Sequence, residues 1–403
     1  MKILQINAVY NHSSTGRTCA QLQDYINNYT SHECKTAFCY GGKSEDGYII
    51  GSKTDRNIHG FLSRLFGKQG YYSTGSTKKL IKYMDQYAPD IVHLRNLHGN
   101  YINLPVLFKY LSEKKIPVVV TLHDCWFYTG KCVHYSKLDC QKWQESCGNC
   151  PALKEGNVSW FFDKTEKLLN DKKSFFKSLD KLAFVGVSEW ITDEVKKSEI
   201  GKNADIVKRI YNWIDLSVFK PSENKIREKY AINENDFVIM SVTSSWNGDK
   251  GLEDFVKLDK LLEKNQKIVL VGGKRDGFDY PDSIICIPAT ESINDLVDLY
   301  SMADVFVTFS RLESFGKTTA EALACGTPAV CYNSTANPEL IGEGCGYVAS
   351  AGNVEEVKKY IDTVMNNGKS FYSKNCVEYV RDNFDIKTCV EDYIAIYKKL
   401  KQG

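Results

Sequence analysis

The chain has 403 residues, with 52 Lys and Arg against 50 Asp and Glu, a net charge of +2, and 43% apolar residues. That length predicts two domains of ordinary size, and without a basic run or an aromatic-basic motif the sequence does not read as a nucleic-acid binder. No apolar stretch approaches a membrane span, the first residues lack the apolar core and cleavage site of a signal peptide, and 14 cysteines without an export signal predict reduced thiols in a cytosol.

Short apolar runs of strand length alternate with helical stretches, which predicts parallel α/β layers. The first half has runs at 2–9, 35–40, 90–94, 117–122 and 182–187; the second has them at 237–242, 267–271, 283–287, 304–309 and 329–332. They predict two doubly wound sheets in series. From 59 to 68, Phe61, Leu62, Leu65 and Phe66 fall on one helical face beside Arg64 and Lys68, and Tyr71, Tyr72, Lys78, Lys79 and Lys82 continue the aromatic and basic character. That face either packs on the first sheet or lies in the headgroup region of an anionic membrane.

The run at 117–122 ends in His123-Asp124, at the carboxyl end of a strand, where α/β ligands gather. Behind it come Cys125, Cys132, Cys140, Cys147 and Cys150, with His134 among them. Cys147-x2-Cys150 has the spacing of a ligand pair, and Cys132 with Cys140 would close a tetrahedral zinc site. Free thiols and disulfides are the alternatives, the latter disfavoured in a cytosol. Such a zinc would pin a segment that reads as too polar to fold on its own, with no part in catalysis.

In the second half, Lys250-Gly251 follows the run at 237–242. The run at 304–309 leads into Ser310-Arg311-Leu312-Glu313-Ser314-Phe315-Gly316-Lys317-Thr318-Thr319-Ala320-Glu321 and then Cys325-Gly326-Thr327-Pro328. This reads as strand, loop, helix. Glu313 falls in the loop and Glu321 in the first turn, Thr318 with Glu321 forms a capping box, and Gly326 with Pro328 ends the helix. Backbone N–H groups from Gly316 to Thr319 would face an anion. Charge divides along the chain: residues 1–220 carry 31 Lys and Arg against 22 Asp and Glu, net +9, and the remainder 21 against 28, net −7. A basic first half suits a phosphorylated or membrane-surface acceptor, or simply solvates surface helices.

The Glu313-x7-Glu321 run resembles the signature of the retaining family 4 glycosyltransferases, which have the GT-B fold. Tyr211 to Pro221 resembles that family's interdomain segment, and 123–151 resembles an insertion in its capsule, colanic-acid and exopolysaccharide branch. The resemblance implies an α/β architecture of two Rossmann-like domains facing across a cleft. They would be an acceptor-side domain at 1–212 with the cysteine-rich insertion at 125–151, and a nucleotide-sugar domain at 213–385. A last helix at 386–403 would cross back to the first. It implies a metal-independent hexosyltransferase moving a sugar, from UDP in first place, to a saccharide or polyprenyl-diphosphate-linked acceptor at the inner face of the cell membrane. By the family's pattern Glu313 and His123 meet the donor sugar and Glu321 the ribose. Lys250, with Ser314, Phe315, Gly316, Lys317 and Thr318, holds the pyrophosphate, and main-chain groups near Ile287 read the base. Gly16 and Arg17 stand in a loop facing the cleft, with Arg17 on the acceptor side. Ser244 stands where the family has an arginine; Lys317, Lys274 or Arg275 would replace its charge. A GT-B epimerase or phosphorylase and a non-catalytic partner subunit are the alternatives; the presence of Glu313, Lys250 and His123 counts against the last.

Overall fold

A computed structural model describes residues 1–223 and 225–402. The chain divides into two compact units, Met1–Ile210 with the stretch from Cys389 onward, and Tyr211–Thr388.

The first unit opens with β1 (Lys2–Ile6), α1 (Ser13–Tyr29), β2 (Glu33–Phe38) and β3 (Gly47–Ile49). Helices α2 (Lys53–Phe66) and α3 (Thr74–Tyr87) precede β4 (Ile91–Leu94), α4 (Leu104–Glu113) and β5 (Val118–Leu122). After the cysteine segment come α5 (Thr165–Lys177), β6 (Leu182–Gly186), α6 (Glu189–Lys197), α7 (Glu199–Lys202) and β7 (Ile206–Arg209). The seven strands lie in the order β3-β2-β1-β4-β5-β6-β7, and their pairings are parallel. Strands β4, β5 and β6 are buried along their whole length, as runs covered by helices on both faces must be.

The second unit holds α8 (Ile226–Lys229), β8 (Phe237–Ser245), α9 (Leu252–Asp259), β9 (Gln266–Gly273) and β10 (Ile285–Ile287). Then follow α10 (Ile293–Met302), β11 (Val305–Thr308), α11 (Lys317–Ala324), β12 (Ala329–Tyr332) and β13 (Gly346–Ala349). Helices α12 (Val354–Asn367), α13 (Ser370–Phe384) and α14 (Ile386–Gln402) end the chain. Strand order is β10-β9-β8-β11-β12-β13, again parallel. From Cys389 onward α14 belongs to the first unit, where the Tyr393 hydroxyl is 2.8 Å from Thr121 Oγ1 and the Tyr397 hydroxyl 2.8 Å from His93 Nδ1. Among the described residues, no helix is long and apolar enough to cross a membrane.

All ten expected strands form. The three not expected, β3, β7 and β13, are edge strands of three or four residues that are mostly half-exposed, so their apolar signal is weak. One local expectation is overturned here. Helix α1 begins at Ser13, so Gly16 ends its first turn and Arg17 opens the second, rather than both lying in a loop. The cysteine segment carries buried aromatics, Trp126, Phe127, Tyr128, Tyr135 and Trp143, and several of them pack on the rest of the unit, Trp126 against His98, Phe127 against Phe176 and Tyr135 against Trp190.

Candidate active site

In a doubly wound sheet, ligands gather at the carboxyl ends of strands where the chain order reverses. In the second unit that point lies between β8 and β11, which are neighbours although α9, β9, β10 and α10 separate them along the chain. The loops leaving these two strands therefore meet, and they carry Lys250 and Glu313. The Lys250 ammonium donates to Glu313 Oε1 at 2.5 Å and to Ser310 Oγ at 3.3 Å.

Each loop is fixed by its own backbone. Asn247 caps the turn after β8 by accepting from the Lys250 amide at 3.1 Å. Gly251 follows with φ +71°, and a Cβ there would stand 2.2 Å from Phe309 Cβ. Only glycine lets this turn press so close to the end of β11, which explains the Lys-Gly pair. On the other side the Glu313 amide donates to Thr335 Oγ1 at 3.0 Å, and Asn337 Nδ2 donates to the Ser310 carbonyl at 2.7 Å. Arg311 donates from its amide to the Asp249 carbonyl and from its guanidinium to the buried Asp254. Thr335, Asn337, Arg311 and Asp254 were not singled out from the sequence. They come from three separate segments, Asp254 on α9, Arg311 after β11, and Thr335 with Asn337 after β12; only the Asn337-Pro338 step hinted at a structured turn.

Helix α11 starts differently from expectation. Its cap is Gly316 at φ +94°, with no side-chain capping bond, so Thr318 lies inside the first turn and the capping box does not form. The Thr319 amide donates to the Gly316 carbonyl, which restricts any anion site to the amides preceding it. Glu321 is 4% exposed and accepts from the Tyr300 hydroxyl at 3.1 Å. Phe315 is buried between the rings of Tyr211 and Phe384 and is a packing residue. Ile287 is buried at the end of β10, and Ser244 is exposed near the end of β8. Of the residues considered as substitutes for the missing arginine, Arg275 pairs with Glu253 at 2.6 Å, Lys274 lies over the Tyr280 ring, and Lys317 is the first residue of α11.

In the first unit, His123 follows β5 directly. Next to it, Asp124 accepts from the Trp126 amide at 2.9 Å and lies 2.8 Å from His98 Nε2. Burial works to raise the Asp124 pKa, but the His98 charge and hydrogen bond, with the Trp126 amide, bring it below the usual value. Gly16 is buried against Val9, Tyr10 and Asn11 in the loop after β1, its carbonyl accepting from the Asn11 amide, and Arg17 is exposed. Cys132, Cys140, Cys147 and Cys150 line one pocket with Tyr135 and Trp143. All fourteen cysteines are free thiols. Among the described residues, no three His, Cys, Asp or Glu side chains are arranged to hold a metal ion.

Two family descriptions match this architecture: Glycosyltransferase Family 4 over residues 36–218 and Glycosyl transferases group 1 over 222–382. The chain belongs to the family 4 glycosyltransferases. It is 21% identical to the putative colanic acid biosynthesis glycosyl transferase WcaC of Escherichia coli, over 84% of this chain and 83% of that one. It is 26% identical to N-acetyl-alpha-D-glucosaminyl L-malate synthase of Bacillus anthracis over 55% of this chain, spanning 62% of that relative. Among solved structures, sucrose-phosphate synthase from Thermosynechococcus elongatus superposes with a TM-score of 0.72 at 14% identity, covering 99% of each chain. HepE of Anabaena in complex with UDP gives 0.70 at 16% identity, covering 99% of this chain and 100% of that one. At such identities the likeness establishes the fold, which for both units is that of a GT-B glycosyltransferase.

Proposed function

We propose that this glycosyltransferase moves a sugar from a nucleotide-sugar donor, UDP-linked in first place, to a saccharide or polyprenyl-diphosphate-linked saccharide in cell-surface polysaccharide synthesis at the cytoplasmic face. Transfer retains the anomeric configuration and uses no metal on the phosphates. The observation that carries this reading is the Lys250–Glu313 pair just ahead of α11. A pyrophosphate over the first amides of α11 competes with Glu313 for Lys250. The ammonium then stabilises the charge that grows on the departing nucleoside diphosphate, the task a divalent ion would otherwise perform. Glu313, released, accepts from the donor sugar's hydroxyls. Glu321, oriented by Tyr300, meets the ribose, and main-chain groups at Ile287 meet the base. On the first unit His123 orients the sugar and Arg17 serves the acceptor side. The UDP preference is supported by the HepE complexes with UDP and UDP-glucose, and the acceptor class by the colanic-acid and capsular relatives.

A thermal-shift screen of nucleotides, followed by NMR of the first product formed from an α-linked donor, tests the reading. UDP stabilisation and an α product are expected. A β product overturns retention, activity lost to chelator and restored by a divalent ion overturns metal independence, and no nucleotide binding overturns the assignment. We further propose that the cysteine pocket takes one structural zinc, supported by four thiols lining one pocket and requiring them to turn toward a common centre. Metal analysis of protein purified without chelator is expected to give about one equivalent; metal-free, folded and active protein rules it out.

A further inference from the structure

Thirteen large apolar side chains are exposed among the described residues, and five of them form one ribbon on the first unit. Phe61 and Phe66 come from α2, and Trp160, Phe161 and Phe162 from the segment leading to α5. Their rings touch in sequence: Phe61 to Trp160 at 5.8 Å, then Trp160 to Phe161, Phe161 to Phe162 and Phe162 to Phe66, each at 6.5 Å. Phe161 is 68% exposed. The ribbon is built rather than loose. The Trp160 amide donates to the Arg64 carbonyl at 2.7 Å, the Ser159 hydroxyl to the Phe162 carbonyl at 2.7 Å, and Lys154 Nζ to the Trp160 carbonyl.

Cations accompany it. Arg64 lies between the two α2 rings, Lys68 follows them, and Lys164 stands 5.8 Å over the Phe162 ring. Beside the ribbon a small cavity of about 60 Å³, open to solvent, is lined by Arg64, Lys164, Ser63 and Asn100. Ser63 Oγ and Asn100 Oδ1 are buried there without a hydrogen-bond partner. Exposed aromatics beside Arg64 and Lys164, with the Ser63 hydroxyl available to donate, suit a phosphate at an apolar boundary; Asn100 Oδ1 can only accept and adds nothing to an anion.

We propose that this face docks on a bilayer containing anionic phospholipid, with the aromatic ribbon among the headgroups and a lipid phosphate at the cavity between Arg64 and Lys164. The proposal stands apart from the sugar-transfer reading. Sedimentation with phosphatidylcholine vesicles, with and without phosphatidylglycerol, at low and high salt tests it. Binding is expected only with phosphatidylglycerol and should fade with salt. Trp160→Ser with Phe161→Ser should lower partitioning roughly tenfold or more. Arg64→Gln and Lys164→Gln should each lower it about fivefold. Phe161→Ser alone keeps the test valid if the double variant misfolds. No binding to phosphatidylglycerol vesicles, or variants that bind like the parent, overturns the proposal. So does a solution dimer that the Trp160 and Phe161 changes dissociate, since the ribbon would then cover a second copy.

Discussion

Lys250 and Glu313 hold each other's charge at 2.5 Å, with Glu313 four residues ahead of α11, and the proposed reaction gives each a chemical role besides this structural one. Glu313→Gln is expected to lower kcat/KM by about 100-fold or more, the scale of losing one group aimed at the reacting centre. Circular dichroism and a melting curve should show the fold intact. Glu321→Ala should weaken nucleotide binding by about 1–3 kcal/mol by calorimetry, the cost of leaving ribose hydroxyls unpaired in a buried site. His59 offers a pH test. Burial lowers its pKa from 6.5 to about 4, and it accepts from the Gly70 amide at Nε2, a bond its protonation would break. The unfolded chain binds that proton more readily, so the stability His59 contributes is present above pH 6.5 and lost as pH falls toward 4. About 3 kcal/mol is at stake over that window. Urea melts at stepped pH should show the loss, and His59→Gln should flatten it.

Helix α11 shows how an element serves the site through its start. Gly316 sits at φ +94°, and a Cβ there would come within 2.7 Å of Leu340 Cδ1. Gly316→Ala is therefore expected to cost about 1–3 kcal/mol of stability by denaturant unfolding. It should also weaken nucleotide binding, because the amides that follow would turn. The helix's small buried residues and its stop at Gly326 were legible from the sequence, whereas its cap was not. The pattern of Thr318 and Glu321 satisfies a capping box, yet Glu321 turns to Tyr300, which lies 21 positions earlier on α10. A tertiary partner outcompeted a local one. The helical face at 59–68 divided for a similar reason. Phe61 and Phe66 are exposed and Leu62 and Leu65 half-buried, while Tyr71 turned inward to donate to Asp171 and Tyr72 to meet the edge of His59.

At the scale of the whole chain, α14 ties its last turns into the first unit. Removing residues from 389 onward should prevent that unit from folding, because seven buried side chains of α14 would be lost with it. Expression and tryptophan fluorescence would show this. Tyr397→Phe should cost about 1–3 kcal/mol, because it leaves the buried His93 Nδ1 without its partner. Ten strands, the alternation that makes both sheets parallel, the positions of Lys250 and Glu313 in loops after strands, and that of Glu321 on the helix that follows could be read from the sequence. The reason is that buried parallel strands are continuous apolar runs, and helix starts need glycine and small residues. Three things came only from the tertiary structure. Strand order put the ends of β8 and β11 side by side, which no local pattern encodes, and so brought Lys250 onto Glu313. Edge strands β3, β7 and β13 formed because a neighbour offered an open row of hydrogen bonds, not because their own residues demanded it. The ring contacts joining α2 to Trp160–Phe162 arose across nearly a hundred residues, since an exposed ribbon depends on where two segments emerge and not on what either one spells.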